Sequence, residues 1–220
     1  MTATHLELRE MLKTNADRLP PWYWQRDDVF VRFNHEGKRS PIFWCFNNWI
    51  EPISLSKQLH AEQELVAMHS IHGIMNGKDT KAANLKTIKN LYAEGIIERA
   101  GKHPITVGGN CQGGQVAEAV AHEILARTNV APLLVLLEHQ PQYAYPGHVV
   151  MLFGSQSEKY NPFLSGVDPL PRWQALHRSF TFHILEGKHG SYFGDPAIGE
   201  LAIIIQEATA DNHLAPEVSR

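Results

Sequence analysis

"GGNCQGGQVAEAVAHEI", residues 108–124, decides the reading of this chain. The apolar run "HPITVGG" (103–109) leads into it. Beyond it, Val116, Ala117, Val120, Ala121, Ile124 and Leu125 recur at i, i+1, i+4, i+5, i+8 and i+9. The spacing predicts a buried strand turning sharply into a helix with one apolar face. At the turn stands Gly109-Asn110-Cys111-Gln112-Gly113, a small-x-nucleophile-x-small frame. Such a nucleophile elbow is tight, and neighbouring chain passes close to it. Glycine two residues before and after the nucleophile removes the Cβ atoms that would clash. Serine is the commoner residue at its centre; here it is Cys111. The helix N-terminus beneath the thiol favours negative charge, so a lowered Cys111 pKa is expected. The Gln112 N–H is expected to face a developing oxyanion.

Working outward, apolar runs and alternations predict strands at 27–34, 40–46, 64–70, 131–139, 148–154 and 179–187. Helical patterns fall between them at 53–62, 80–99 and 112–127, and a last one starts near Pro196. Strands alternating with helices mean a mostly parallel central sheet flanked by helices. Residues 1–26, with Leu6, Leu8, Met11, Leu12 and Leu19 among charges, read as an N-terminal helical arm. The main α/β domain is expected over 27–210 and a tail over 211–220.

The 220 residues suit one domain with a sizeable core. The net charge is −3, with no Lys/Arg block, which argues against a nucleic-acid surface. No apolar run reaches the roughly 18–20 residues of a membrane span, and the start has no apolar signal core. With only Cys45 and Cys111, a disulfide framework is not expected, and a reducing cytoplasm is the default.

A nucleophile elbow in an α/β-hydrolase fold calls for an acid and then a histidine further along the chain. His189, in the glycine-flanked loop "EGKHGSYF" after the last strand, fits the general base. Two acids compete. Glu138 ends the apolar strand "PLLVLLE", and Glu158 lies after the next strand in "FGSQSEKYNP". In many hydrolases the acid sits in a G-x-x-D turn at the later site; here that turn reads Gly154-Ser155-Gln156-Ser157. Glu138 is favoured, because a merely solvated carboxylate has little reason to cap a wholly apolar strand. It would hold the imidazole tautomer. The loop "FNNWIEP" offers a backbone N–H of Asn47 or Asn48 as second oxyanion donor. "HSIH" places His69 and His72 at i, i+3, a weak zinc pattern without further ligands; no bound cofactor or metal is expected.

Three stretches then resemble the thioesterase domains of non-ribosomal peptide and polyketide synthases. They are "FVRFNHEGKRSPIFWCF", "TIKNLYAEGIIERAGKHPITVGGNCQGGQVAEAVAHEI", and "DPLPRWQAL" followed by "FTFHILEGKHGSYFGDP". The likeness covers about residues 28 to 208. It implies an α/β-hydrolase fold with the acid at Glu138. The implied substrate is an acyl, aminoacyl or peptidyl thioester on the phosphopantetheine of a carrier protein. Cys111 departs from the family's serine, and Phe46-Asn47 from its usual His-Gly. The family's helical lid between the acid and the next strand is reduced here to "HQPQYAYPG" (139–147). An open site is expected, rimmed by Tyr143, Tyr145 and Trp49. A cysteine would keep the acyl group as a thioester, nearly isoenergetic with the donor, which favours transfer to a thiol, amine or alcohol over plain hydrolysis. A small-molecule cysteine hydrolase resembling dienelactone hydrolases is the alternative, with Glu158 as its acid.

Overall fold

The computed structural model of the chain describes residues 4–19, 24–72, 74 and 82–214. Helix α1 (His5–Ala16) opens on a Thr4 capping box with Glu7. An antiparallel hairpin follows, β1 (Trp24–Asp27) and β2 (Phe30–Phe33). Then come β3 (Arg39–Phe46), α2 (Ile50–Gln58), β4 (Gln63–His69) and α3 (Ala82–Ala100). The elbow lies between β5 (Thr106–Asn110) and α4 (Gln112–Thr128). After it come β6 (Leu133–Leu137), β7 (Tyr145–Gly154), α5 (Leu170–Leu176), β8 (His177–Leu185) and α6 (Ala197–Leu214). One sheet results, in the order β1-β2-β4-β3-β5-β6-β7-β8, parallel from β4 to β8. It is the expected mostly parallel sheet flanked by helices.

The runs "LLVLL" of β6 and "QELVAMH" of β4 are buried at every position, because helices cover both faces of the sheet. Alternate residues serve the two faces. Phe43, Val107, Leu134, Leu136, Met151 and Phe153 meet α3 and α4 through Ile88, Tyr92, Val116, Val120 and Ile124. Ile42, Trp44, Phe46, Val135, Leu137 and Leu152 meet α2 and α6 through Leu55, Leu201 and Ile205.

Several elements differ from expectation. The strand expected at 27–34 starts at Phe30, since Asp28 turns the chain at φ 58°. β1 leaves no sequence signal, because "WQRD" sits on the sheet edge and carries no apolar alternation. The helix expected at 53–62 runs from Ile50 to Gln58. The N-terminal helix is packed into the body: Leu8 and Leu12 belong to the core shared with α3. Helix α6 continues to Leu214, and residues 215–220 lie outside the described part.

The connection from β6 to β7 shapes one wall of the strand-end crevice. Parallel neighbours are ordinarily joined by a crossover of a dozen or more residues, usually helical. Here residues 138–144 make the return with no helix. Trp173 of α5 covers β7 instead. It stacks on Phe153 at 5.8 Å and packs against Phe163, Phe180 and Phe182.

Candidate active site

The C-terminal ends of the parallel strands converge, as open α/β sheets require of a ligand site. Cys111 caps α4 at φ 50°, ψ −115°, a left-handed strained position typical of sites whose surroundings over-determine them. Two glycines permit it. A Cβ on Gly109 would lie 2.3 Å from the Gly113 carbonyl oxygen, and one on Gly113 only 2.0 Å from the Cys45 carbonyl oxygen. Cys45 and Cys111 are both free thiols.

His189 and Glu138 meet at this elbow. His189 Nδ1 lies 2.9 Å from Glu138 Oε2. Cys111 Sγ lies 3.6 Å from His189 Nε2 and 3.7 Å from Nδ1. The near-equal distances put the sulfur across the imidazole rather than in line with one nitrogen. Rotation of the ring would be needed to align Nε2 with the sulfur, and hydrogen bonds of this kind commonly tighten only when a substrate binds. Tyr160 stacks on the ring at 4.1 Å and restrains it.

Glu138 is buried and at φ 58°. Its carboxylate accepts from Gly154 N–H (2.8 Å), Tyr192 Oη–H (2.8 Å) and Ser157 Oγ–H. Three donors besides His189 satisfy its oxygens, as a buried polar group requires. Glu158 is exposed, and no polar contact joins it to His189 among the described residues. Ser157, standing where many hydrolases place their acid, instead hydrogen-bonds Glu138 from the neighbouring strand.

Three expectations need correction. The first concerns the thiol. Burial, with Glu138 and Glu51 nearby, pushes Cys111 up to about 12 instead of down. A thiol so raised is protonated at neutral pH and needs a base to become a thiolate. In a His189→Ala variant, alkylation of Cys111 by iodoacetamide is expected to be slow at pH 7 and to rise about tenfold per pH unit into the alkaline range, because the thiolate reacts. A flat profile between pH 6 and 8 in that variant would contradict this.

The second concerns the oxyanion loop. Asn47 N–H donates to Glu51 Oε2 (3.0 Å), and Asn48 Nδ2 donates to Glu51 Oε1 (2.9 Å). Asn110 Nδ2 also donates to Glu51 Oε2 (3.2 Å). The carboxylate of α2's first turn thus consumes the Asn47 N–H expected to serve an oxyanion. Burial raises the Glu51 pKa against those hydrogen bonds. Asn47 Oδ1 accepts from Gly113 N–H (3.2 Å) and Ser70 Oγ–H (2.7 Å), which ties this loop to α4. Gln112, at the first position of α4, stands beside Cys111 as expected.

The third concerns the rim. Tyr143 is 68% exposed and lies beside the site, but Tyr145 is 1% exposed. Its hydroxyl donates to the Pro132 carbonyl at 2.7 Å, at the opposite end of the sheet. Trp49 turns away: its Nε1–H donates to the Asn15 carbonyl at 3.1 Å. His69 is buried, its Nδ1 accepts the Ile71 N–H (3.1 Å), and desolvation lowers its pKa to about 4. No group of three or more metal-ligating side chains gathers among the described residues.

The strap 138–144 is fastened to α4 by Glu118. This buried carboxylate accepts from Gln142 N–H (2.6 Å) and Tyr143 N–H (3.1 Å), and lies 2.9 Å from His139 Nε2. Sequence reasoning missed Glu118, Glu51, Tyr160, Tyr192 and Ser157. Glu118 carried one readable signal, an acid on the apolar face of the elbow helix next to Ala117 and Ala121.

The elbow, the parallel sheet and the strand-end cluster define an α/β-hydrolase fold, with a short strap, 138–144, between β6 and β7. Among solved structures the chain is similar to thioesterase domains of peptide synthetases. The NocB thioesterase domain of the nocardicin cluster matches over 82% of this chain and 98% of that one, at 18% identity and a TM-score of 0.62. The Vlm2 thioesterase domain matches over 78% and 93%, at 13% identity and 0.59. SrfTE, the thioesterase domain that cyclises surfactin, matches over 86% and 96%, at 11% identity and 0.59. No family model and no curated protein sequence matches the chain. No helix of the described residues is long and apolar enough to cross a membrane.

Proposed function

We propose that the protein is a thioesterase-like acyltransferase, acting on acyl, aminoacyl or peptidyl groups carried on the phosphopantetheine of a carrier protein in secondary-metabolite assembly. The observation that carries this reading is the contact line from Cys111 Sγ through His189 to the buried Glu138. The likeness to peptide-synthetase thioesterase domains supports the substrate class.

His189 Nε2 takes the thiol proton as Sγ attacks the thioester carbonyl carbon. The new C–S bond forms, and negative charge gathers on the oxygen, facing the Gln112 N–H. Collapse breaks the old C–S bond, and the departing thiolate takes the proton from His189. An acceptor thiol, amine or alcohol then gives its proton to His189 and attacks the acyl-Cys111. Cys111 leaves and recovers that proton. Glu138 orients the imidazole and stabilises its charged form throughout. Water as acceptor gives hydrolysis by the same route. Transfer is favoured because a thioester intermediate conserves the activation of the donor, and an open site admits a second carrier.

The test is intact mass spectrometry with acyl-loaded carrier. Wild type is expected to gain one acyl mass and Cys111→Ala none. A chase with free holo-carrier is expected to discharge the adduct faster than buffer alone. No adduct and no turnover with any carrier-bound acyl group would overturn the reading. Discharge at the same rate with and without acceptor would reassign it to hydrolysis.

A further inference from the structure

Two cavities flank the elbow, and both are walled by Gln112 and Gln115 of α4. The first, about 290 Å³, contains Cys111 and Glu138 and is lined further by His139, Gln140, Gln142, Lys159 and Tyr160. The second, about 340 Å³, is lined by Ile71, Leu85, Ile88, Val116 and Tyr143, with Ser70 and His72. Both lie at the small end of the roughly 300–1,000 Å³ range of ligand pockets. The strap forms part of both walls, with Gln142 facing one cavity and Tyr143 the other. Glu118 holds the backbone N–H groups of these two residues.

The chemistry decides which part of a thioester goes where. The carbonyl oxygen must sit at Gln112 N–H, on the shared wall. The leaving thiolate must receive its proton from His189. His189 contacts Cys111, Glu138 and Tyr160, and all three line the first cavity and none the second. The thiol-bearing arm therefore departs through the first cavity, and the acyl group lies across Gln112 in the second. The linings agree with this orientation. 4′-Phosphopantetheine is a chain of two amides ending in a phosphate, and the first cavity offers the amide side chains of Gln115, Gln140 and Gln142 and the ammonium of Lys159. An ammonium serves a phosphate as a point charge. The second cavity offers branched apolar side chains.

We infer that the two cavities are the two arms of one substrate site: the amide-lined cavity takes the pantetheine arm, with Lys159 toward its phosphate, and the apolar cavity takes a short acyl group. This rests on the thioester reading and fixes its orientation and size limit.

The experiment uses acetyl, butyryl and octanoyl thioesters of pantetheine and of 4′-phosphopantetheine, read as Cys111 adduct by intact mass and as kcat/KM. Wild type is expected to prefer the two shorter acyl groups. Leu85→Trp is expected to lower kcat/KM for butyryl roughly tenfold relative to acetyl, and Leu85→Ala to shift preference toward octanoyl, since each methylene in an apolar pocket is worth roughly 10–200-fold. Both should keep the wild-type ratio of phosphopantetheine to pantetheine donors. Lys159→Ala is expected to lower that ratio about tenfold and leave acyl selectivity alone. Lys159 is exposed, so this arm of the test stands even if Leu85→Trp fails to fold. Adduct formation with wild-type selectivity in the variants, or with the two effects exchanged, overturns the arm assignment alone. Absence of adduct on wild type with all three free donors overturns the short-acyl assignment, and absence with carrier-bound acyl groups as well overturns the thioester reading with it.

Discussion

Glu138→Ser is expected to lower kcat by about 10³–10⁴-fold, and adding Ser157→Asp is expected to recover at least tenfold of the loss. The first effect follows from the contact of Glu138 Oε2 with His189 Nδ1 at 2.9 Å. Without the carboxylate the imidazole has no partner to fix its tautomer or stabilise its charge. The second follows from the position of Ser157. Its hydroxyl touches the same Glu138 oxygen that faces His189, so the two strand ends share one socket. An aspartate at 157 is one atom longer than serine and reaches toward the vacated place. The Gly154 N–H and Tyr192 hydroxyl remain there to receive it. Glu158→Gln is expected to stay within about twofold of wild type. Single-turnover acylation with a thioester donor reads all three. A crippled Glu158→Gln beside an active Glu138→Ser would move the acid to the later strand and favour the dienelactone-hydrolase-like alternative.

Gly113→Ala is expected to cost about 3 kcal/mol of stability and to abolish most activity. The added Cβ would stand 2.0 Å from the Cys45 carbonyl oxygen, which is backbone of β3 and cannot swing aside. Overpacking of this kind costs about 1–3 kcal/mol, sometimes more, because strand or helix must shift. In a domain of this size a loss near 3 kcal/mol lowers Tm by roughly 6–12 °C. Activity falls further than stability, since the shift moves Cys111 and the first turn of α4 away from His189. Thermal unfolding together with iodoacetamide labelling of Cys111 measures both parts. Wild-type Tm and labelling would show that the elbow is looser than its geometry.

Legibility followed the kind of signal each residue left. The elbow was readable because a strand, a glycine frame and a helix stand in unbroken order. Glu138 was readable because it closes an apolar strand, where a charged group needs a reason to be, and His189 because it stands in the glycine-flanked loop after the last strand. Ser157 was hidden because its partner stands 19 positions away, and Glu51 because its contacts with Asn47 and Asn48 look like ordinary helix-start bonds while its tie to Asn110 spans 59 positions. Nothing local distinguishes them from an ordinary N-terminal helix acid and a turn serine. Tyr145 misleads for a geometric reason. A nine-residue loop reads as a rim around the site, whereas the chain crosses the whole layer within 138–144 and buries Tyr145 at the far end. The helix terminus alone argues for a lowered thiol pKa; only the fold places two carboxylates and the burial of the sulfur beside it.

The strap has one more consequence. Glu118 fastens it to the same helix that carries Cys111, so one helix holds both the wall and the nucleophile. In the proposed transfer, donor and acceptor compete for a single berth at that helix. Such a catalyst follows ping-pong kinetics, is throttled by excess of either partner, and takes its direction from their relative concentrations.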